Sequence, residues 1–193
     1  MKRLIFATHN PNKIKEVRNH LRGSYEILGL EDIGFYEEII ENKKTIIENS
    51  IAKVKFVKDK TGYDCFADDT GLEVNALNGK PGVFSKRFAG INSSSDDNID
   101  KLLNMLEKET DRSAQFKTVI SLFKNDEIKT FEGICEGKIA FKRMGDFGFG
   151  YDSIFIPNNR NISFGQMSIQ EKNLIAHRSR AINKLVNFLT NLY

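Results

Sequence analysis

Only two cysteines occur in the 193 residues, Cys65 and Cys135, far apart in apolar, strand-like runs and without a metal-ligand spacing. Both are expected to be reduced core residues, which points to a reducing, cytoplasmic compartment. Proline is nearly as scarce, with three residues, and no Pro-rich linker, internal repeat or low-complexity tract divides the chain. No apolar run approaches the roughly 18 residues that a membrane span needs. A strand pattern begins almost at once, so neither a signal peptide nor an anchor is expected. Dense Lys/Arg stripes are also missing. A formal charge of +3 and a pI near 8.7 suit an anionic ligand but fall short of a dedicated nucleic-acid binder, so no nucleic-acid or membrane partner is expected. What remains, 40% hydrophobic and 28% charged residues, predicts one soluble α/β domain over residues 1–193 with a substantial core.

Taken in order, Arg3–Ala7 reads as a buried strand and Ile14, Val17 and Leu21 as one face of a helix. The turn between them, Thr8-His9-Asn10-Pro11-Asn12-Lys13, offers free backbone N–H groups, a hydroxyl, an amide and an ammonium at a helix start. Either it cradles a phosphate or Thr8 or Asn10 caps the helix. It lacks the glycines of a Walker loop. Tyr25–Leu30 is a second strand, followed by an acidic loop through Glu31, Asp32, Glu37, Glu38 and Glu41. Thr45-Ile46-Ile47-Glu48 has capping-box spacing and opens a helix to about Lys60. In it Glu48, Asn49 and Lys53 partly share a face, the usual signature of a surface Glu–Lys pair.

The central stretch is Cys65-Phe66-Ala67-Asp68-Asp69-Thr70-Gly71-Leu72. Two adjacent carboxylates in an apolar run are costly unless something cationic meets them. An extended chain points them in opposite directions, so at least one faces a cleft or a metal. The alternative is a tight turn here, with Asp69 capping its own backbone. Farther on, Asn78–Gly82 signals a turn, and Lys86 and Arg87 add cations. Ser93–Asp97 reads as a loop and N-cap for a helix burying Ile99, Leu102, Leu103 and Leu106. Ala114–Phe123 and Glu127–Ala140 form a hairpin turning at Asn125-Asp126.

Glycines interleave with aromatics in Gly145-Asp146-Phe147-Gly148-Phe149-Gly150-Tyr151-Asp152. This suits stacking of a planar base with backbone contacts at its edge, or else a glycine-rich bend between strands. Ser168–Glu171 is a further capping box, and a final helix begins near His177-Arg178. Cations at a helix start oppose the macrodipole and suggest an anionic or carbonyl-bearing partner.

Together these segments resemble the inosine triphosphate pyrophosphatase family. The resemblance spans nearly the whole chain, in seven blocks in one order: Thr8–Lys13, Glu48–Lys53, Ala67–Leu72, Gly79–Ser85, Phe149–Asp152, Glu171–Asn173 and His177–Arg180. It implies two lobes around a long mixed β-sheet with a central substrate cleft, a homodimer, and Mg2+ as cofactor. It also implies hydrolysis of ITP, dITP and XTP to the monophosphate and pyrophosphate.

Carried over by motif, the Thr8-His9-Asn10-Pro11-Asn12-Lys13 turn and Lys53 would bind the triphosphate, with Thr70, Lys86 and Lys172 assisting. Asp69 would act on the nucleophilic water and, with Glu41, position magnesium; Glu38 and Glu48 are the alternatives to Glu41. Phe149 would stack on the base, while Gly150, Tyr151 and Asp152, with His177 and Arg178, would read its edge. Donors aimed at a 6-oxo group select against the 6-amino group of adenine. The sequence departs from the family pattern at Asn42-Lys43-Lys44, Ser153 and Ala176. A Maf-like pyrophosphatase and a nucleic-acid-binding module are the competing readings.

Overall fold

The computed structural model describes residues 2–191. Its elements are β1 (Lys2–Phe6), α1 (Pro11–His20), β2 (Tyr25–Leu28), α2 (Ile46–Thr61), β3 (Cys65–Val74) and β4 (Pro81–Gly82). Then come α3 (Ser95–Met105), β5 (Ser113–Lys124), β6 (Glu127–Ile139), β7 (Phe155–Pro157), α4 (Ile169–Ile175) and α5 (His177–Asn191). The strand order is β2-β1-β3-β5-β6-β7, with β4 beside β3. β1 pairs in parallel with β2 and β3, whereas β3–β4 and β6–β7 are antiparallel, so the sheet is mixed as expected.

The chain divides into two compact units: Met1–Asp69, Thr118–Gly133 and Arg178–Tyr193 form the first, Thr70–Lys117 and Ile134–His177 the second. In the first, strand alternation sorts the core into two layers. Phe6 and Phe66, stacked 4.5 Å apart, pack with Val17 and Leu21 of α1 and Ile182, Leu185 and Leu189 of α5. Their neighbours Ala7, Cys65 and Ala67 face the other way, onto Val54 and Val57 of α2. In the second unit Leu72, Val74, Phe116, Ile139, Phe155 and Phe164 pack against Ile99, Leu102 and Leu106 of the α3 region. Both cysteines are buried and free, and burial pushes the Cys65 thiol up to about 12.

Local signals account for most element ends. Thr45, Ser94 and Ser168 cap α2, α3 and α4, each reciprocated by an acid three residues on, Glu48, Asp97 and Glu171. The hairpin turns at Asn125 and Asp126, both with positive φ (52° and 61°), the geometry of a two-residue hairpin loop. The alternative of a tight turn in the central stretch fails. Asp68 and Asp69 do not form a turn but lie inside β3, which continues unbroken to Val74.

Candidate active site

The alternation that divides the core also separates the two aspartates. Asp68 follows Phe66 toward α1 and α5, where it accepts from Lys13 Nζ at 2.7 Å and from Arg178 Nε at 2.8 Å. Asp69 follows Ala67 toward α2 and meets Lys53 Nζ at 3.1 Å. The same ammonium donates to the Asp68 carbonyl at 3.0 Å and pairs with Glu41 Oε1 at 2.5 Å. The surface Glu–Lys pair expected on α2 is therefore absent: Lys53 is buried among tertiary partners, and Glu48 caps Thr45, accepting from its backbone N–H at 3.1 Å. Of the three acids considered beside Asp69, Glu41 reaches Lys53, Glu48 is engaged in the cap and Glu38 is exposed.

The Thr8–Lys13 turn does cap α1. The Asn10 side chain accepts from Asn12 and Lys13 N–H at 3.0 and 3.2 Å, and Thr8 Oγ1 accepts from Asn10 N–H at 3.2 Å. Pro11 opens the helix, where a missing N–H costs nothing. A ring nitrogen of His9 lies 3.0 Å from the Glu37 carbonyl. Arg178 bonds Glu16 of α1 through Nη1 as well as Asp68 through Nε. Both carboxylates belong to the chain itself, so these contacts meet the Arg178 charge at the helix start from within. Glu16 is absent from the sequence reading; its spacing of three residues from Lys13 on one helix was the available signal.

The electrostatics follow from burial and crowding. For Asp68, burial opposes ionisation, but Lys13, Arg178 and Lys53 together hold the carboxyl well below the usual carboxylate range. Asp69 goes the other way: burial outweighs Lys53 and Lys13, Glu41 adds repulsion, and its pKa is raised. Burial also lowers the Lys13 ammonium despite Asp68, whereas Asp69 and Glu41 overcome burial at Lys53 and raise it.

In the second unit Asp152 is the organising residue. It is buried, accepts from Phe149 N–H at 2.8 Å and pairs with Lys172 at 2.6 Å. The Lys172 ammonium lies 5.1 Å from the centre of the Phe149 ring. Gly148, at φ +80°, leaves the space: a Cβ there would fall 2.1 Å from Asp152 Oδ2. Tyr151 donates to the Ser85 carbonyl at 2.9 Å, and the buried His177 stacks 4.5 Å from Phe116. Gly150 is half-buried with φ +60°, Thr70 is half-buried, and Lys86 is exposed in a short 3-10 turn.

Comparison with known proteins places the chain in a family. The model of the Ham1 family matches residues 4–188. The chain belongs to the Ham1 family. It is 50% identical over 188 residues to a dITP/XTP pyrophosphatase of Flavobacterium psychrophilum, covering 97% of this chain and 99% of that one. It is 42% identical to the dITP/XTP pyrophosphatase of Bacillus subtilis, covering 98% of each. Among solved structures, a Ham1 protein from Coxiella burnetii superposes with TM-score 0.89 at 36% identity, over 99% of this chain and 100% of that chain. The Staphylococcus aureus Ham1 protein does so at 0.87 and 40%, over the whole of both. The family is the one the seven sequence blocks resemble.

Among the described residues no three His, Cys, Asp or Glu side chains gather into a protein-only metal cage. Magnesium does not need one, since it is commonly held by one or two carboxylates together with substrate phosphates and water. Glu41 and Asp69 fit that demand, because both already converge on the single charge of Lys53 Nζ. No helix among the described residues is long and apolar enough to cross a membrane.

Proposed function

We propose that this protein hydrolyses the non-canonical purine triphosphates ITP, dITP and XTP to the nucleoside monophosphate and pyrophosphate, removing them from the nucleotide pool. One observation carries the reading: a buried carboxylate of raised pKa, Asp69, sits on a buried lysine that it shares with a second carboxylate, Glu41. A base must be available to take a proton near neutral pH, and a raised carboxyl is better suited to that than an ordinary one. The names of the relatives, dITP/XTP pyrophosphatases at 40–50% identity over nearly their full length, support dITP and XTP among these substrates.

In this reading Asp69 orients the attacking water and accepts its proton as oxygen approaches the α phosphorus, and pyrophosphate leaves with the bond electrons. Lys13 and Lys53, with Thr8, Asn10 and the N–H groups of the turn through His9, Pro11 and Asn12, hold the triphosphate and spread its developing charge. Thr70, Lys86 and Lys172 assist. Glu41 and Asp69 hold magnesium, which supplies charge neutralisation at the phosphate oxygens when bound. Phe149 stacks on the purine, with Asp152 fixing its backbone. Gly150, Tyr151, His177 and Arg178 address the 6-oxo edge. The assembly proposed is a cytoplasmic homodimer, which light scattering on a chain of 22.0 kDa tests directly.

The substrate claim is tested by incubating the protein with ITP, dITP, XTP, GTP and ATP, with and without magnesium. Magnesium-dependent pyrophosphate release from the first three is expected. Comparable turnover of ATP contradicts the base selectivity, and nucleoside diphosphate with phosphate contradicts the reaction.

A further inference from the structure

The residues from Phe35 to Lys43 carry no regular secondary structure, yet Glu41 within them is held to a definite point, 2.5 Å from Lys53 Nζ. A chain without its own hydrogen-bond ladder needs fixing from outside. His9 meets the Glu37 carbonyl at 3.0 Å, and beyond Glu41 the fixing comes from α2. The side-chain oxygen of Asn49 accepts from Lys43 N–H at 2.9 Å, two residues beyond Glu41. Asn49 lies one helical turn before Lys53, so the group that anchors the segment and the ammonium that receives Glu41 project from the same face. The orientation of the amide is not arbitrary, since a backbone N–H can only donate and the atom facing it must be oxygen.

The nitrogen end of the same amide is the informative part. Asn49 is only 2% exposed, and its Nδ2 is buried without a hydrogen-bond partner among the described residues. Leaving a buried donor without an acceptor costs at least as much as one neutral hydrogen bond contributes. Stability alone therefore favours leucine, which has nearly the same shape and no polar atoms. An asparagine here serves something other than stability, and its one bonded atom holds the segment that carries Glu41.

We propose that Asn49 is a positioning residue for Glu41: by anchoring Lys43 N–H it fixes the Glu41 carboxylate where Lys53 and Asp69 converge, and so sets the affinity for the divalent cation. The inference rests on the reading that Glu41 and Asp69 hold that cation. It concerns only how this chain prepares Glu41.

The test uses the full-length protein and Mn2+ as probe, with binding followed by electron paramagnetic resonance and folding by thermal denaturation without metal. Asn49→Leu is expected to weaken Mn2+ by about 10- to 100-fold, the usual scale for losing a partner that orients a metal ligand. Its melting temperature should equal or exceed that of the wild type. Asn49→Ala repeats the binding test should leucine not fit. Asn49→Asp keeps an oxygen for Lys43 N–H and is expected to bind at least as tightly as the wild type. Because Asn49 acts through Glu41, adding Asn49→Leu to Glu41→Gln should weaken binding no further.

A folded Asn49→Leu or Asn49→Ala protein that binds Mn2+ within twofold of wild type overturns the proposal. So do additive losses in the double variant, or a loss in Asn49→Asp equal to that in Asn49→Leu. A wild type that binds no Mn2+, or a Glu41→Gln variant without effect, overturns the metal reading itself and this inference with it.

Discussion

Asp68 and Asp69 are consecutive in one strand, yet they have opposite electrostatic fates. Asp68 is clasped by Lys13 and Arg178 and driven toward permanent ionisation; Asp69, on the α2 face with Lys53 and Glu41, is pushed toward protonation. A single strand thus yields a structural anion and a candidate base, because successive side chains must leave a strand on opposite faces. The division of labour needs no turn and no special backbone geometry.

For Asp69 the consequence is a stability cost at neutral pH. A carboxyl whose folded pKa is raised makes the native state bind more protons than the unfolded chain between the two values, so stability falls as pH rises through that window. In metal-free protein, Asp69→Asn removes this term. Relative to wild type it is expected to gain stability as pH rises above about 4, the ordinary aspartate value, and to level off above the folded value. Denaturant melts across pH measure this, and pyrophosphate release should fall by about 10²-fold or more.

The clasp on Asp68 predicts an asymmetry between its two cations. Arg178→Leu takes one cation from two buried carboxylates at once, Glu16 and Asp68, and leaves Asp68 only the Lys13 side of its clasp, so a loss of about 3–5 kcal/mol is expected. Lys13→Met leaves Asp68 with Arg178 and should cost clearly less, while raising KM for the triphosphate. Equilibrium unfolding with steady-state kinetics separates the two. The Asp68 contribution, from a depressed carboxyl, is complete above about pH 4 and lost only as pH falls through the lower folded value.

Elements defined by local chemistry were legible in the sequence. The capping boxes at Thr45 and Ser168, the N-cap within Ser93–Asp97 and the Asn125-Asp126 hairpin turn each follow from residues within a few positions of one another; that Asp97 completes a capping box with Ser94 is added by the structure. The rest shares one cause. The turn alternative at Asp68-Asp69 and the surface pairing of Lys53 with Glu48 stay open in the sequence because the groups that satisfy these residues lie far off in the chain. Asp68 meets Lys13 and Arg178 across 55 and 110 residues, and no local pattern encodes that. Glu16 was hidden for the same reason, its partner being 162 residues away. Glu41 is the intermediate case: the resemblance names it, with Glu38 and Glu48 as alternatives, and the fold puts Glu41 on Lys53 and Glu48 in a cap.

Gly148 tests the second unit independently. Gly148→Ala places a methyl group 2.1 Å from Asp152 Oδ2 and demands a positive φ from a residue that disfavours it. Asp152 must give way, releasing Phe149 N–H and Lys172 together. A loss of at least about 1 kcal/mol in stability is expected, together with a larger fall in kcat/KM for XTP than for bare triphosphate binding. Unaltered kcat/KM in a folded variant removes Asp152 from the base-binding role.

The account stands on Asp69 directing water at the α phosphorus, and isotope position reads that step directly. Hydrolysis of dITP in water enriched with 18O, with the products resolved by mass spectrometry, should place one label in the monophosphate and none in the pyrophosphate. Label in the pyrophosphate, or a diphosphate product, would mean that water attacks a different phosphorus and that the roles given to Asp69 and its lysines are wrong.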